Sequence, residues 1–410
     1  MKKVWLISPY IAVDKRSTRQ AIIARYLEKI GYQAIVITTC TDQRYYKIDK
    51  PYALVDKNDT KYLIIKENVT SVEGIKRVYA QLKFQQKVFK YGHVLGEPDI
   101  IIGNFAGLFG DVVFKYKKRF GTKVMLDILD FWPEVLIEIG HLKADSLITR
   151  FLYYLEHRAY KRADSIFSSI VGFKDYITDK GWDSQHGGGV NLNKIHYINN
   201  GVEINEVDND REMYIIEDPD LDRTDVFKIG YIGSIGVPNH LDMVVEAAKL
   251  ADIQGYNDIL FLIYGSGGKL DSVKKLSEQY NLHNISFKGF LDKRFFASTI
   301  NRCNVALLNF EDTPSLKYGM SNNKFFMYCA SGLPVLCTVH PGYSVIDKRK
   351  CGLIVENTPA GLLNGVLRFQ KMSKDEYAEY KKNARIVGED YDYNKMLVQL
   401  KNEVIRLIGE

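Results

Sequence analysis

The chain has 410 residues, of which 46% are hydrophobic, and this size suits two packed domains better than one. Its formal net charge of +6 is mild for this length and gives no reason to expect nucleic-acid binding. Five scattered cysteines, none of them in a CxxC pair, predict a reduced compartment and no metal site.

The first half alternates apolar strand-like runs with helical patterns. Strands are predicted at 4–8, 33–38, 99–103 and 123–129, and helices at 18–30 and 108–120. Parallel strands need crossover helices, so this rhythm predicts a Rossmann-like domain. It continues at 165–168 and 195–198 and then stops, which sets the first domain at residues 1–205.

An acidic, poorly periodic stretch at residues 206–225 is predicted to be a linker. A second Rossmann-like series follows over 226–390, with strands predicted at 227–231, 259–264, 285–288, 305–310 and 335–338 and a helix at 241–250. Residues 393–408 have the spacing of an amphipathic helix, so we assign 391–410 to the first domain, onto which this helix crosses back. Two such α/β domains facing a cleft would bind a ligand in that cleft.

Small-residue turns follow two strands of the second half. Gly233, Ser234 and Gly236 come after the first strand, and a run from Gly265 to Lys269 comes after the second. Small residues let backbone N–H groups approach a phosphate closely, and Lys269 adds a cation. The alternatives are a plain tight turn and a solvent-facing lysine.

The segment YGMSNNKFFMYCASGLPV predicts a helix that begins at a binding site. Ser321 or Asn322 can cap a helix that runs through Lys324, and Gly332 can end it. The N-terminus of a helix attracts anions through its dipole and its free N–H groups. Because a lysine in the first turn opposes that dipole, Lys324 predicts a bound anion.

The first turn of the chain, PYIAVDKRSTR, lacks the G-x-G-x-x-G pattern of nicotinamide-binding domains and argues against a dehydrogenase. Arg16 or Arg19 could lie near a phosphate, or this turn could be a solvated basic loop. Another candidate, Asp130, follows the strand at 123–129. It could orient an acceptor hydroxyl or act as a base, or it could form a turn or helix cap before Pro133.

Two aspartate pairs in the predicted linker have the D-x-D spacing of a metal-binding motif. They are Asp208 with Asp210, and Asp218 with Asp220. Since neither pair follows a strand, we interpret both as solvated charge.

Several stretches together, in this order along the chain, resemble motifs of family 4 glycosyltransferases, especially bacterial members that build surface polysaccharides. These are LDILDFWPEVLIEIG, INNGVE, YIGSIG, LIYGSGG, FKGFLD and GMSNNKFFMYCASGLPV. The resemblance implies a GT-B fold, a nucleotide-sugar donor held mainly by the second domain, and transfer with retention, without a bound metal ion or cofactor. By position it implies four groups of site residues: Gly233, Ser234, Gly236 and Lys269 at the diphosphate; Gly289, Phe290 and Leu291 at the base; Gly319, Met320, Ser321 and Asn322 at the sugar and phosphates; and Asp130 on the acceptor side.

Three positions depart from that family's pattern. Met327 stands where a carboxylate usually bonds the ribose, Gly319 where the first of two paired glutamates stands, and Leu129 where a basic residue precedes Asp130. One lost charged hydrogen bond costs ~1.5–3 kcal/mol of binding. Two main hypotheses follow: a retaining glycosyltransferase acting on a glycan or lipid-linked oligosaccharide in polysaccharide biosynthesis, and a non-catalytic GT-B partner subunit of another glycosyltransferase. A third, a nucleotide-sugar epimerase, lacks an obvious acidic pair.

The sequence also predicts where the protein works. The first apolar run is too short for a signal peptide, and no segment is apolar over the roughly 18 residues that a membrane span needs. We therefore predict a cytoplasmic protein. A predicted helix at residues 72–91 mixes lysines with aromatic residues, which suits contact with the inner membrane face. The alternative is an aromatic stripe that faces the core, with a solvated basic face.

Overall fold

The computed structural model describes residues 1–13, 17–39, 48–67, 69, 74–104 and 111–409. The chain divides into two compact units, Met1–Asn199 with Met396–Glu410, and Asn200–Lys395. Each unit has a largely parallel sheet whose strands are joined by helices. The predicted fold class, α/β with two Rossmann-like domains, is confirmed.

The first unit is built on an eight-stranded sheet with the order β3-β4-β2-β1-β5-β6-β7-β8. Its strands are β1 Lys3–Ile7, β2 Gln33–Thr39, β3 Tyr52–Lys57, β4 Thr60–Ile65, β5 Ile100–Asn104, β6 Lys123–Ile128, β7 Ser165–Ser168 and β8 Ile195–Tyr197. All neighbouring pairs are parallel except β3 with β4. Trp5 and Leu6 of the central strand β1 are fully buried, as expected for a strand covered on both faces.

The β3–β4 hairpin was not predicted from the sequence. Its turn consists of Asn58 and Asp59, whose φ angles are 52° and 56°. Two consecutive left-handed residues define the tight turn that matches the twist of a hairpin, and Asn and Asp tolerate this conformation better than most residues. The Asn-Asp pair between two short runs was therefore the signal for this hairpin.

The helices of the first unit connect its strands, and the last helix of the chain packs on them. They are α1 Arg19–Lys29, α2 Gly74–Tyr91, α3 Asp111–Phe120, α4 Glu134–Glu138, α5 Leu147–Arg162, α6 Phe173–Asp179 and α15 Tyr393–Ile408. Leu397, Leu400 and Val404 of α15 are buried. The predicted return of the C-terminal helix to the first unit is thus confirmed.

The second unit has a six-stranded parallel sheet with the order β11-β10-β9-β12-β13-β14. Its strands are β9 Phe227–Ile232, β10 Ile259–Tyr264, β11 Ile285–Gly289, β12 Val305–Leu308, β13 Val335–Cys337 and β14 Gly352–Ile354. Its helices are α7 Ile204–Met213, α8 Pro219–Asp222, α9 Leu241–Ile253, α10 Leu270–Gln279, α11 Phe296–Ile300, α12 Asn323–Ala330, α13 Pro359–Gln370 and α14 Lys374–Asp390. The strand order reverses between β9 and β12, and open α/β sheets bind ligands at the carboxyl ends of strands beside such a reversal.

The stretch predicted as a linker contains the short helix α8 and most of α7. Val207 and Leu221 are buried in the core of the second unit. The interpretation of its aspartates as solvated charge is wrong for three of them. Asp208 accepts from Arg385 at 2.7 Å, Asp218 is 7% exposed and accepts from Lys288 at 2.7 Å, and Asp220 accepts from the same Lys288 at 2.7 Å. Both cations come from distant parts of the same unit, which is why local sequence did not reveal these pairs.

Candidate functional site

The turn after β9 and the loop after β10 are joined by backbone hydrogen bonds. Gly233 N donates to Tyr264 O at 3.0 Å, and Ile235 N donates to Ser266 O at 2.9 Å. In the return direction, Lys269 N donates to Ile235 O at 3.0 Å. The two small-residue segments therefore form one surface at the carboxyl ends of neighbouring strands.

Glycine is required in this surface because the two backbones approach each other closely. A Cβ atom at Gly265 would lie 1.8 Å from Gly233 O, and one at Gly267 would lie 2.3 Å from Ile235 O. At Gly268 a Cβ atom would meet nothing within 4 Å. Two of the glycines thus serve the contact between the loops, whereas the third does not.

Helix α12 begins and ends as the sequence predicts. The side chain of Asn322 accepts a hydrogen bond from Lys324 N at 3.0 Å and caps the helix. At the other end Gly332 has a φ of 71°, Leu333 N donates to Tyr328 O, and Gly332 N donates to Cys329 O. This pair of bonds is a Schellman motif.

Lys324 reaches from the first turn of α12 to the turn after β9. A Cβ atom built on Gly233 would lie 2.7 Å from Lys324 Cε. The ammonium donates to Tyr231 OH at 2.9 Å and to Asn239 Oδ1 at 3.3 Å. Both partners are neutral, and no carboxylate in the described part of the chain pairs with Lys324. The site therefore holds a positive charge without a counterion.

The pKa of Lys324 reflects this environment. Burial of the ammonium lowers its pKa to about 8. Desolvation disfavours the charged form, and a nearby anion would favour it again. A phosphate bound beside it would therefore raise this pKa again and keep the ammonium charged.

Lys269 and the end of β11 border the same surface. Gly265 N donates to Gly289 O at 2.6 Å, which ties the β10 loop to the end of β11. Phe290 follows and is 76% exposed, while Leu291 packs partly buried against the core. The ammonium of Lys269 has no hydrogen-bond or ion-pair partner among the residues that the structure describes.

The three residues before Asn322 make their contacts within the second unit. Gly319 adopts a φ of 104°, and its N–H donates to Leu316 O at 2.9 Å. Met320 packs partly buried against the core of the unit. Ser321 Oγ lies 3.0 Å from Asn200 Nδ2 and accepts its hydrogen bond. Gly319 is also buried, so the backbone at this residue, expected at the sugar and phosphates, is not open to a ligand.

Two residues of the site were missed by the sequence analysis. Tyr231 is fully buried, and its hydroxyl donates to Ser234 O at 2.6 Å while accepting from Lys324. Asn239 Oδ1 accepts from Lys324 and from Ser234 Oγ at 3.1 Å. Both orient Lys324 over the turn that contains Gly236. A tyrosine in an apolar strand looks like a core residue, so no sequence signal marked this role.

Asp130 belongs to the first unit and directly follows β6. Its side chain is exposed, and its carboxylate accepts no hydrogen bond from any residue in the described ranges. The residue at the N-cap of α4 is Pro133. The interpretation of Asp130 as a helix cap is therefore wrong, and its carboxylate can accept a hydrogen bond from a ligand.

Arg19 does not serve as a phosphate ligand. Its guanidinium is buried and donates to both carboxylate oxygens of Asp127, at 3.0 Å from Nε and 2.9 Å from Nη2. It also donates to Ile198 O and Asn199 O. A buried arginine needs such partners, so Arg19 joins β6 to the segment after β8. Arg16, the other arginine considered, lies outside the described residues.

Helix α2 presents only part of its aromatic content to solvent. Phe84 is 2% exposed and packs in the core, as the core-facing interpretation predicts. Tyr79 is 61% exposed, and the ammonium of Lys83 lies 4.5 Å from the centre of its ring. None of the helices in the described ranges is long and apolar enough to cross a membrane.

A family model matches part of the second unit, and one known protein is similar over most of the chain. Residues 226–371, within the second unit, match a family model described as Glycosyl transferases group 1. Over 314 residues the chain is 22% identical to an uncharacterized glycosyltransferase of Methanocaldococcus jannaschii, which covers 72% of this chain and 74% of that protein.

Two solved structures are similar over nearly their whole length. Sucrose-phosphate synthase from Thermosynechococcus elongatus has a TM-score of 0.74 at 17% identity, covering 99% of each chain. HepE of Anabaena, in complex with UDP, has a TM-score of 0.67 at 14% identity, covering 99% of this chain and 100% of that one. At these identities the likeness establishes the fold, which is GT-B.

Proposed function

We propose that this chain, a glycosyltransferase with the GT-B fold, moves a sugar from a nucleoside diphosphate donor to a glycan or lipid-linked oligosaccharide. The main support for this proposal is the ammonium of Lys324. It lies over the turn at Gly233 and has no carboxylate partner among the described residues. A cation at the N-terminus of a helix, beside a small-residue turn, fits a diphosphate. The UDP bound to HepE supports a donor of this class.

Residues of the second unit can stabilise a diphosphate as it leaves the sugar. Negative charge develops on it as its bond to the anomeric carbon breaks, and donors that are already in place stabilise that charge most. We assign this role to Lys324, Lys269 and the backbone at the start of α12. The exposed ring of Phe290 offers a stacking surface for the base. These groups supply the positive charge without a metal ion.

The transfer itself requires an acceptor hydroxyl. The acceptor oxygen bonds to the anomeric carbon as the diphosphate leaves, and the hydroxyl proton is lost. We propose that Asp130 orients this hydroxyl or takes its proton, because its exposed carboxylate has no competing hydrogen bond in the described ranges. Retention of configuration, family 4 membership and a place in polysaccharide biosynthesis are proposed on the motifs alone.

Isothermal titration calorimetry with a panel of UDP- and GDP-sugars tests the donor. We expect at least one donor to bind with a Kd of roughly 1 μM to 1 mM, the range usual for enzyme substrates. Release of free nucleoside diphosphate, followed with and without oligosaccharide acceptors, then tests turnover. Failure of every donor to bind would contradict the proposal.

A second candidate function is that of a non-catalytic partner subunit of another glycosyltransferase. Met327 favours it, because this side chain packs partly buried against the apolar core and cannot accept a hydrogen bond from a ribose hydroxyl as a carboxylate does. Gly319 likewise offers no carboxylate. Turnover of a donor by the purified chain alone would exclude this candidate, whereas donor binding without turnover would support it.

Donor binding should also depend on pH through Lys324. Its pKa of about 8 means that the ammonium is charged below pH 8 and loses its proton above it. If only the charged form binds the diphosphate, affinity is full below the pKa and falls about tenfold for each pH unit above it. Calorimetry from pH 7 upward measures this profile. The same slope in a Lys324→Met variant would show that another group is responsible.

A further inference from the structure

We infer that the outward face of α5 binds the surface of an anionic lipid bilayer. The inference deepens the proposed function, on which it rests for its purpose, because a lipid-linked acceptor is presented at such a surface. The evidence for it comes from the exposed residues of α5, a helix of the first unit that has no part in the donor site.

The outward face of α5 is apolar over its first two turns. Leu147, Ile148, Phe151 and Tyr154 are 81%, 63%, 55% and 58% exposed. The spacing of 147, 151 and 154 places these side chains on one side of the helix. The opposite side is buried, with Thr149, Glu156, Ala159 and Tyr160 facing the core. Soluble monomers seldom expose such a continuous apolar patch unless it binds something.

Cations outnumber acidic residues among the exposed charges of this segment. The exposed charged residues between 143 and 162 are Lys143, Asp145, Arg150, Arg158 and Lys161. None of the four cations has a carboxylate partner among the described residues. Apolar side chains next to unpaired lysine and arginine are the features of a helix that lies in a membrane interface. The cations then meet lipid phosphates while the apolar groups enter the headgroup region.

The charge pattern favours a bilayer over a second copy of the chain. In a two-fold symmetric dimer the same patch faces itself, so Arg150 and Arg158 would approach the cations of the other copy. Like charges held together in an interface oppose association. An anionic bilayer has the complementary charge and can cover the whole length from Leu147 to Tyr154, about 10 Å at 1.5 Å per residue.

Sedimentation with lipid vesicles tests the inference. The full chain should bind vesicles of phosphatidylcholine with phosphatidylglycerol, and bind vesicles of phosphatidylcholine alone much less. A Leu147→Ser/Phe151→Ser double variant should need at least about tenfold more anionic lipid for half-binding, since burying one large apolar side chain is already worth about a factor of ten. An Arg150→Gln/Arg158→Gln variant should also weaken binding, and the wild type should bind less at about 1 M salt.

The matched control is a Tyr79→Ser/Leu82→Ser variant on α2, which also tests the membrane contact that the sequence predicts for that helix. These side chains are 61% and 42% exposed on another helix of the same unit. We expect this control to bind vesicles within about twofold of the wild type. Donor binding by calorimetry should be unchanged in all variants, so loss of vesicle binding and failure of the donor site are read separately.

Three results would overturn the inference. One is a wild-type chain that does not bind anionic vesicles, and another is an α2 control that loses binding while the α5 variant keeps it. The third is sedimentation velocity in which the α5 variant turns a dimer into a monomer and vesicle binding stays unchanged, which would make the face a contact between copies.

Discussion

Replacing Lys324 with methionine should weaken donor binding about 10- to 100-fold. Methionine keeps much of the unbranched stem that packs against Gly233, but it removes the only group through which this side chain donates to a phosphate. A hydrogen bond to a charged group is worth ~1.5–3 kcal/mol, which corresponds to this range of Kd. The measurement is calorimetry with the nucleotide sugar that the wild type binds. We expect thermal stability to be unchanged or slightly higher, since a partly desolvated charge is removed.

The matched control for this variant is Lys275→Met. Lys275 is an exposed lysine of α10 and has no ion-pair partner in the described part of the chain. The Lys275→Met replacement changes the net charge by the same amount as Lys324→Met, but away from the proposed site. The Kd of this variant for the donor should therefore stay within about twofold of the wild-type value. Equal Kd values for Lys324→Met and the wild type would show that the ammonium is not at the diphosphate, and the proposed site would lose its main support.

Most strands of both sheets could be predicted because buried parallel strands are continuous apolar runs. The runs at 165–168 and 259–264 coincide with β7 and β10. The helix at 393–408 was found for a related reason, since its apolar positions recur with helical spacing and Leu397, Leu400 and Val404 are buried. Local pattern and burial agree in these elements, so sequence alone locates them.

The roles of side chains whose partners are far away in sequence could not be predicted. Nothing near Arg19 in sequence shows that its guanidinium bonds Asp127, 108 residues away. The same holds for Asp218, whose carboxylate is held by Lys288 and by the hydroxyl of Tyr264. Arg19 was expected near a phosphate or in a solvated loop, and Asp218 as solvated charge, because the partner of each lies on another element of the same unit.

The candidate site was predicted in part. The small-residue turns and the N-cap of α12 are local signals, and the structure brings Gly233 and Lys324 together. The partners that orient Lys324 are Tyr231 and Asn239, which carry no local signal. Leu291 and Met320, which we expected at the donor, are partly buried against the core, as ordinary apolar residues are.

Replacing Gly265 with alanine should lower the free energy of unfolding by about 1–3 kcal/mol, the usual effect of overfilling a packed position. Its Cβ atom would lie 1.8 Å from Gly233 O, so the loop after β10 and the turn after β9 must move apart. That movement shifts the turn against which Lys324 packs. We therefore expect weaker donor binding as well, measured by calorimetry, alongside chemical denaturation for stability.

Gly268→Ala is the control, because its Cβ atom would meet nothing within 4 Å. Alanine there restricts the unfolded chain and should leave stability unchanged or raise it by up to about 1 kcal/mol. The two variants add the same methyl group to the same loop, three residues apart. A difference between them therefore measures the contact between the loops together with the backbone strain at Gly265, whose φ of 154° side chains rarely adopt. Equal effects of the two replacements would mean that the β10 loop does not depend on that contact, and that the turn at Gly233 is held in place by other bonds.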